Sequence, residues 1–241
     1  MIGELFNKIR EKDRELHVQH EAHETVPFAV LLAIVGGFLD AYTFISRDGV
    51  FATAQTGNIV LLGVYASEGE WRRALLHIPP IIAFIIGVFV AEWIKNKSSH
   101  FVLGWERLVL IFEIIVLCSI GLIPHTIPNI VVTVAVSFAS SVQVSSFRKL
   151  VDSPYNSTIT TGNLRSASCA AYTAITQKDY KSAVRAIRYF IIILSFLLGG
   201  FLGGLLTVII GSKAIWGAAT ILVFAVILFS IYERKNREKS V

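Results

Sequence analysis

Three charged side chains lie where charge is expensive: Asp40, Glu113 and Arg165 each fall inside an otherwise largely uncharged segment. Ionisable groups buried in a bilayer are functional candidates by default, because only a partner, a proton or a passing ion offsets their desolvation. Asp40, just after Gly36 and Gly37, is the first candidate for proton or cation coupling. Glu113 is a candidate for a proton relay, its plainer role being to reach the interface beside Glu106 and Arg107. Arg165 could be the counter-charge of Asp40, a contact for an anionic substrate, or a base that snorkels to a membrane surface. Neutral polar groups accompany them in two similar stretches, Gln55-Thr56-Gly57-Asn58 and Thr160-Thr161-Gly162-Asn163, with Gln143 between. A glycine there lets a helix break or a backbone approach closely, while Thr and Asn can hydrogen-bond the backbone groups a break sets free. These side chains could line a substrate or ion pathway, or simply hold helices together.

The elements that must position this chemistry follow from composition. The chain is 54% hydrophobic and only 16% charged, with a mean hydropathy of +0.64. That is too apolar for a soluble domain of this length. Runs such as 28–46 and 187–210 approach or exceed the ~20 apolar residues that cross a bilayer, and they are continuous instead of alternating, which favours helices over a membrane barrel. The fold class is therefore an all-α integral membrane helical bundle. The net charge of +5 falls in an N-terminal arm, short loops and the C-terminal tail, the distribution of a positive-inside topology and not of a nucleic-acid surface. No signal-peptide cleavage pattern precedes the first run, which is expected to stay as the first span. Cys118 and Cys169 have no disulfide or metal spacing and read as small buried hydrophobes. His17, His20 and His23 recur every three residues, but without Cys or a firm carboxylate partner no metal site is expected. No cofactor is expected either, and the G-x-S-x-G, H-E-x-x-H and Walker patterns of enzymes are absent.

Eight apolar elements follow the arm, at 28–46, 50–66, 75–94, 107–123, 127–147, 155–175, 186–210 and 214–232. After each Thr-Gly-Asn comes a related stretch, Glu70-Trp71-Arg72-Arg73-Ala74-Leu75 and Asp179-Tyr180-Lys181-Ser182-Ala183-Val184, which leads into a long apolar helix. The chain thus reads as two repeated units, 27–124 and 125–233, between a cytoplasmic amphipathic arm at 1–26 and a cytoplasmic tail at 234–241. Interrupted segments in corresponding positions of two halves point to a transporter-type site near the bilayer midplane. Six full spans plus two short or broken Thr-Gly-Asn helices would place Lys95, Lys97, Arg107, Arg148, Lys149, Lys178, Lys181, Arg185 and Arg188 inside, with Arg47, Arg72, Arg73 and Lys213 outside. Eight full spans would leave the loop charges nearly balanced. Gly199 to Gly204 contains two overlapping G-x-x-x-G spacings, expected to be a packing face. Pro79 and Pro80 mark a kink or a helix start.

The order Gly36-Gly37-Phe38-Leu39-Asp40-Ala41, then Thr56-Gly57-Asn58, Gln143 and Thr161-Gly162-Asn163 is similar to the YoaK family of bacterial multi-pass membrane proteins of unknown function, over about 28–232. This chain has Gln143-Val144-Ser145 where that family often has Gln-Asn-Ala. The resemblance implies an integral membrane protein and no particular activity. The functional expectation is a small secondary transporter or permease in the cell membrane, both termini cytoplasmic. Its partners would be the lipid bilayer, an unknown small solute or ion, and a second copy in a homo-oligomer, with no nucleic acid. In it the two Thr-Gly-Asn segments would form one central polar site. A membrane scaffold or partner subunit, or an intramembrane enzyme, is the alternative.

Overall fold

A computed structural model describes residues 24–97, 104–124, 126–151, 153–158 and 160–239. The predicted N-terminal arm, including His17, His20 and His23, lies outside the described residues. The described chain is almost entirely helical: α1 Val26–Ser46, α2 Gln55–Ser67, α3 Trp71–Leu76, α4 Ile78–Asn96, α5 Trp105–Gly121, α6 Asn129–Ser146, α7 Thr160–Gln177, α8 Tyr180–Ile210 and α9 Ile215–Lys239. A two-residue antiparallel ribbon, β1 Lys149–Leu150 with β2 Ser153–Pro154, follows α6.

Local sequence explains most boundaries. Pro79 and Pro80 open α4, where the missing N–H is one that no helix carbonyl would have used. Gly211, at φ 63°, ends α8 in the left-handed conformation that Gly adopts without strain. Two predicted elements are shorter than the apolar runs suggested. Residues 50–54 and 155–158 are not helical, so α2 and α7 begin at Gln55 and Thr160.

The helix directions follow from close approaches. Ile34 and Phe38 of α1 face Gly199 and Gly203 of α8, so these helices run parallel. A Cβ on Gly199 would lie 2.0 Å from the Ile34 carbonyl oxygen, so the G-x-x-x-G face expected from sequence is a backbone-to-backbone contact. Likewise Gly87 of α4 lies against Phe138 and Ser141 of α6, and Lys95 near the end of α4 donates to the Ser145 carbonyl near the end of α6 at 2.6 Å. Those two are parallel as well. α1 and α6 are antiparallel, since Arg47 just past α1 donates to Asn129 at the start of α6, and Lys149 past α6 pairs with Glu24 before α1. α5 and α9 are antiparallel, with Arg107 paired to Glu233 at one end and Gly121 against Trp216 at the other.

What faces outward fixes the solvent. Phe89, Val208, Ile175 and Leu122 are each more than 70% exposed, whereas Asp40, Asn58, His77, Glu113, Ser137 and Gln143 are buried. A surface this apolar, around a core that also buries polar groups, suits lipid, not water. Among the described residues four stretches are long and apolar enough to cross a membrane: Val26–Ser46, Trp71–Asn96, Asn129–Ser146 and Tyr180–Arg234, the last being α8 and α9 joined through the turn at Gly211. Cys118 and Cys169, expected to be buried, are both exposed. As weakly polar side chains they tolerate an apolar surround without needing the core.

Candidate functional site

The two Thr-Gly-Asn segments share one local device. Asn58 accepts from the Phe51 N–H at 3.0 Å and donates to the Phe51 carbonyl at 2.8 Å. Asn163 accepts from the Asn156 N–H at 3.2 Å and donates to the Asn156 carbonyl at 2.6 Å. In both, an amide side chain in the first turn of a helix closes on the backbone seven residues earlier. It thereby satisfies both peptide groups of a residue that belongs to no regular element, the requirement for irregular backbone inside a bilayer protein. Thr56, Thr161 and Gly162 face outward, and Gln55 and Thr160 are partly buried. Gly57 makes room for the Phe51 ring, 2.8 Å from where its Cβ would be, whereas Gly162 has open space.

The segments differ in what surrounds the shared device. Asn58 also receives Gln55, as donor to its Oε1 at 2.9 Å, and faces Nδ1 of buried His77 at 3.2 Å. A neutral His77 protonated on Nδ1 would donate to that Asn58 oxygen. Asp40 accepts from the Thr53 N–H and hydroxyl, both at 2.7 Å, and from the Ala54 N–H at 3.2 Å. Its carboxylate thus holds the approach to α2 against α1, and no ion pair with Arg165 is present among the described residues. Arg165 stands on the exposed side of α7 instead. The counter-charge expected for Asp40 is therefore replaced by three hydrogen-bond donors. α2 packs chiefly on α3 and α4, and α7 on α8, so the two Thr-Gly-Asn segments are held by different neighbours.

Glu113 is placed quite differently. It does not reach the interface: it is fully buried in α5, and its helix neighbour Arg107 is engaged by Glu233. Ser140 and Gln143 of α6 lie against its carboxyl group. None of the four polar atoms meeting there, the two Glu113 oxygens, Ser140 Oγ and Gln143 Nε2, has a hydrogen-bond partner of normal geometry. One turn earlier on α6, Ser137 donates to the Ala52 carbonyl at 2.7 Å, next to the Thr53 that Asp40 holds, with no hydrogen bond joining it to the Glu113 group. α6 therefore carries a buried polar stripe of Ser137, Ser140 and Gln143 between the two carboxyl groups.

Three buried polar residues have neighbours that the sequence does not show. Arg47 donates to Asn129 Oδ1 and to the Tyr42 hydroxyl, both at 2.9 Å. It was counted as a loop charge, and its partner is 82 residues away. His77 lacked an acidic neighbour in sequence, and its partner is an amide. Ser140 gave no signal among the many serines of α6.

A bundle of long apolar helices with an apolar surface and polar groups kept inside is a multi-pass α-helical membrane protein. The chain belongs to the family described as protein of unknown function (DUF1275), whose profile matches residues 28–228. It is 26% identical over 142 residues to the UPF0700 transmembrane protein YoaK of Bacillus subtilis (strain 168), a match covering 56% of this chain and 62% of that relative's length. No solved structure matches.

Proposed function

We propose that the protein is a small secondary transporter or permease built of two inverted units. The observation that carries this reading is the pair of helices, the 13-residue α2 and the polar 18-residue α7, that follow irregular backbone within the bundle and are closed by the same asparagine device. α1 ends where α6 begins and α4 starts at that same end, so α2 enters and leaves on one side. α6 ends near the start of α1, and α8, parallel to α1, starts there too, so α7 enters and leaves on the other. With 13 residues, α2 is about 20 Å long and too short to cross. Helix pairings support the same two-unit reading: α1 packs on α8 as α6 packs on α4, and α1 on α9 as α6 on α5. Inverted units with discontinuous helices are the arrangement of many secondary transporters.

In this reading six helices cross the cell membrane. Lys95, Arg107 and Lys149 gather at the end where Glu24 and Glu233 lie, which is the cytoplasmic one by the positive-inside rule. The polar path of this reading follows α6 with its buried Ser137, Ser140 and Gln143, and the Asn58 device holds the loop whose Ala52 carbonyl Ser137 meets. The competing reading is a scaffold, favoured by the exposed mixed face of α7 with Arg165, Ser168 and Tyr172, which suits a partner helix or a second copy. On a background lacking Cys118 and Cys169, Ser137→Cys and Ser140→Cys in lipid vesicles separate the two. Labelling by a small impermeant thiol reagent supports a solvated path. Absence of labelling from either side, with Glu68→Cys labelled as a control, would leave the scaffold.

A further inference from the structure

We propose that Glu113, with Ser140 and Gln143, is the site at which this protein binds one monovalent cation, a proton or a sodium ion. The carboxyl group is fully buried, and neither oxygen has a hydrogen-bond partner of normal geometry, although Ser140 and Gln143 lie within reach. Among the described residues no cation pairs with it. From α6 it is faced by the uncharged Ser140 and Gln143. From α9 the shared core receives, among others, Ala218, Leu222, Ala225 and Phe229. Arg107 is paired with Glu233, and Lys95 of α4 with Glu92 and the Ser145 carbonyl.

A carboxylate buried without a counter-charge costs several kcal/mol, so the group is completed by whatever positive charge can reach it. The surroundings select that charge. A single carboxylate balances one unit of charge, whereas a divalent ion would leave a net charge in the core. The donors are hard oxygens, and no cluster of three His, Cys, Asp or Glu side chains exists among the described residues to hold a transition metal. With a proton bound, one Glu113 oxygen donates to Ser140 Oγ and the other accepts from Gln143 Nε2, so all four atoms gain partners after side-chain rotation. With sodium, both carboxyl oxygens and Ser140 Oγ become ligands. Asp40 is the contrast: its three donors leave no such need.

The inference deepens the permease reading by naming the coupling ion, but binding can be measured without transport. Infrared difference spectra of the full-length protein in lipid would be titrated with acid in sodium-free buffer, then with sodium at fixed pH. The expected result is a protonated-carboxyl signal that is present in the wild type and in Asp40→Asn and absent in Glu113→Gln. In Gln143→Leu, which loses the amide donor, its midpoint should move by about tenfold in proton concentration. If sodium is the ion, sodium removes that signal in the wild type at fixed pH; if sodium has no effect, the ion is the proton. Should Glu113→Gln fail to fold, Gln143→Leu and Ser140→Ala must still move the midpoint. Spectra that respond to neither acid nor sodium, or a signal unchanged in Glu113→Gln, Gln143→Leu and Ser140→Ala, would overturn the site. Either result leaves the permease reading to its own labelling test.

Discussion

Two threonines, Thr53 and Thr158, stand five residues before their respective asparagines, and the groups that satisfy them come from different places. Thr53 gives its N–H and hydroxyl to Asp40, thirteen residues back and on another helix. Thr158 gives the same two groups to Asn156 Oδ1, two residues back in its own loop. The first solution ties the start of α2 to α1 through a buried carboxylate; the second closes locally. Around Asn58 gather Gln55 and His77, while Asn163 bonds only to Asn156. The first unit is thus the more firmly anchored, and any relative movement of the two units would fall more readily on α7.

The widest gap between the units should appear at the threonine acceptors. Asp40→Ala leaves three donors without a partner, two of them on Thr53, at about 1–3 kcal/mol for each that stays dry. Unfolding in mixed micelles should show a loss of about 3 kcal/mol or more. Asn156→Ala, whose hydroxyl and N–H donors lie in a short loop that can readjust, should lose about 1 kcal/mol. Equal losses would break the comparison.

The asparagines come next. Asn58→Ala frees the Phe51 backbone and also leaves the Gln55 Oε1 and His77 Nδ1 without their partner, for an expected loss of about 2–3 kcal/mol. Asn163→Ala frees only the Asn156 backbone and should lose roughly half as much. Thermal unfolding of the two variants side by side checks the order.

At the glycines the sign itself should differ. Gly57→Ala pushes a Cβ to 2.8 Å from the Phe51 ring and should destabilise. Gly162→Ala meets nothing within 4 Å and, being helical, should stabilise by up to about 1 kcal/mol.

The smallest effect concerns the helices that follow. Asp179 caps α8 by accepting from the Lys181 and Ser182 N–H groups, whereas Glu70 makes no side-chain cap ahead of α3. The Ser182 hydrogen bonds hold Asp179 below the ordinary aspartate range. Its contribution is therefore present above that range and fades as pH falls through it. Asp179→Asn should weaken this acid sensitivity, while Glu70→Gln should leave it unchanged, as acid unfolding curves can check.

Much of the membrane architecture was legible in the residues, because span length and outward polarity are properties of contiguous sequence. The two short helices could be located from Thr-Gly-Asn, and the Gly199–Gly203 face from its spacing. What could not be read was pairing. That Asp40 would meet Thr53 and not Arg165 depends on the path of a non-helical loop, which no periodicity encodes. That Glu113 would be sealed against Ser140 and Gln143 depends on the rotation of α5 against α6, which places one serine of many beside the acid. Arg47 and Asn129 meet only because α1 and α6 run antiparallel.

The account turns on the short helices entering from opposite faces, and sided labelling addresses that most directly. Single cysteines at Glu68→Cys and Gln177→Cys, on a background without Cys118 and Cys169, would be exposed to an impermeant thiol reagent in oriented membranes. Labelling of the first from the outer face and the second from the cytoplasmic face is the predicted result. Labelling of both from the cytoplasmic face would mean that α2 and α7 cross the bilayer completely, and would contradict the inverted arrangement.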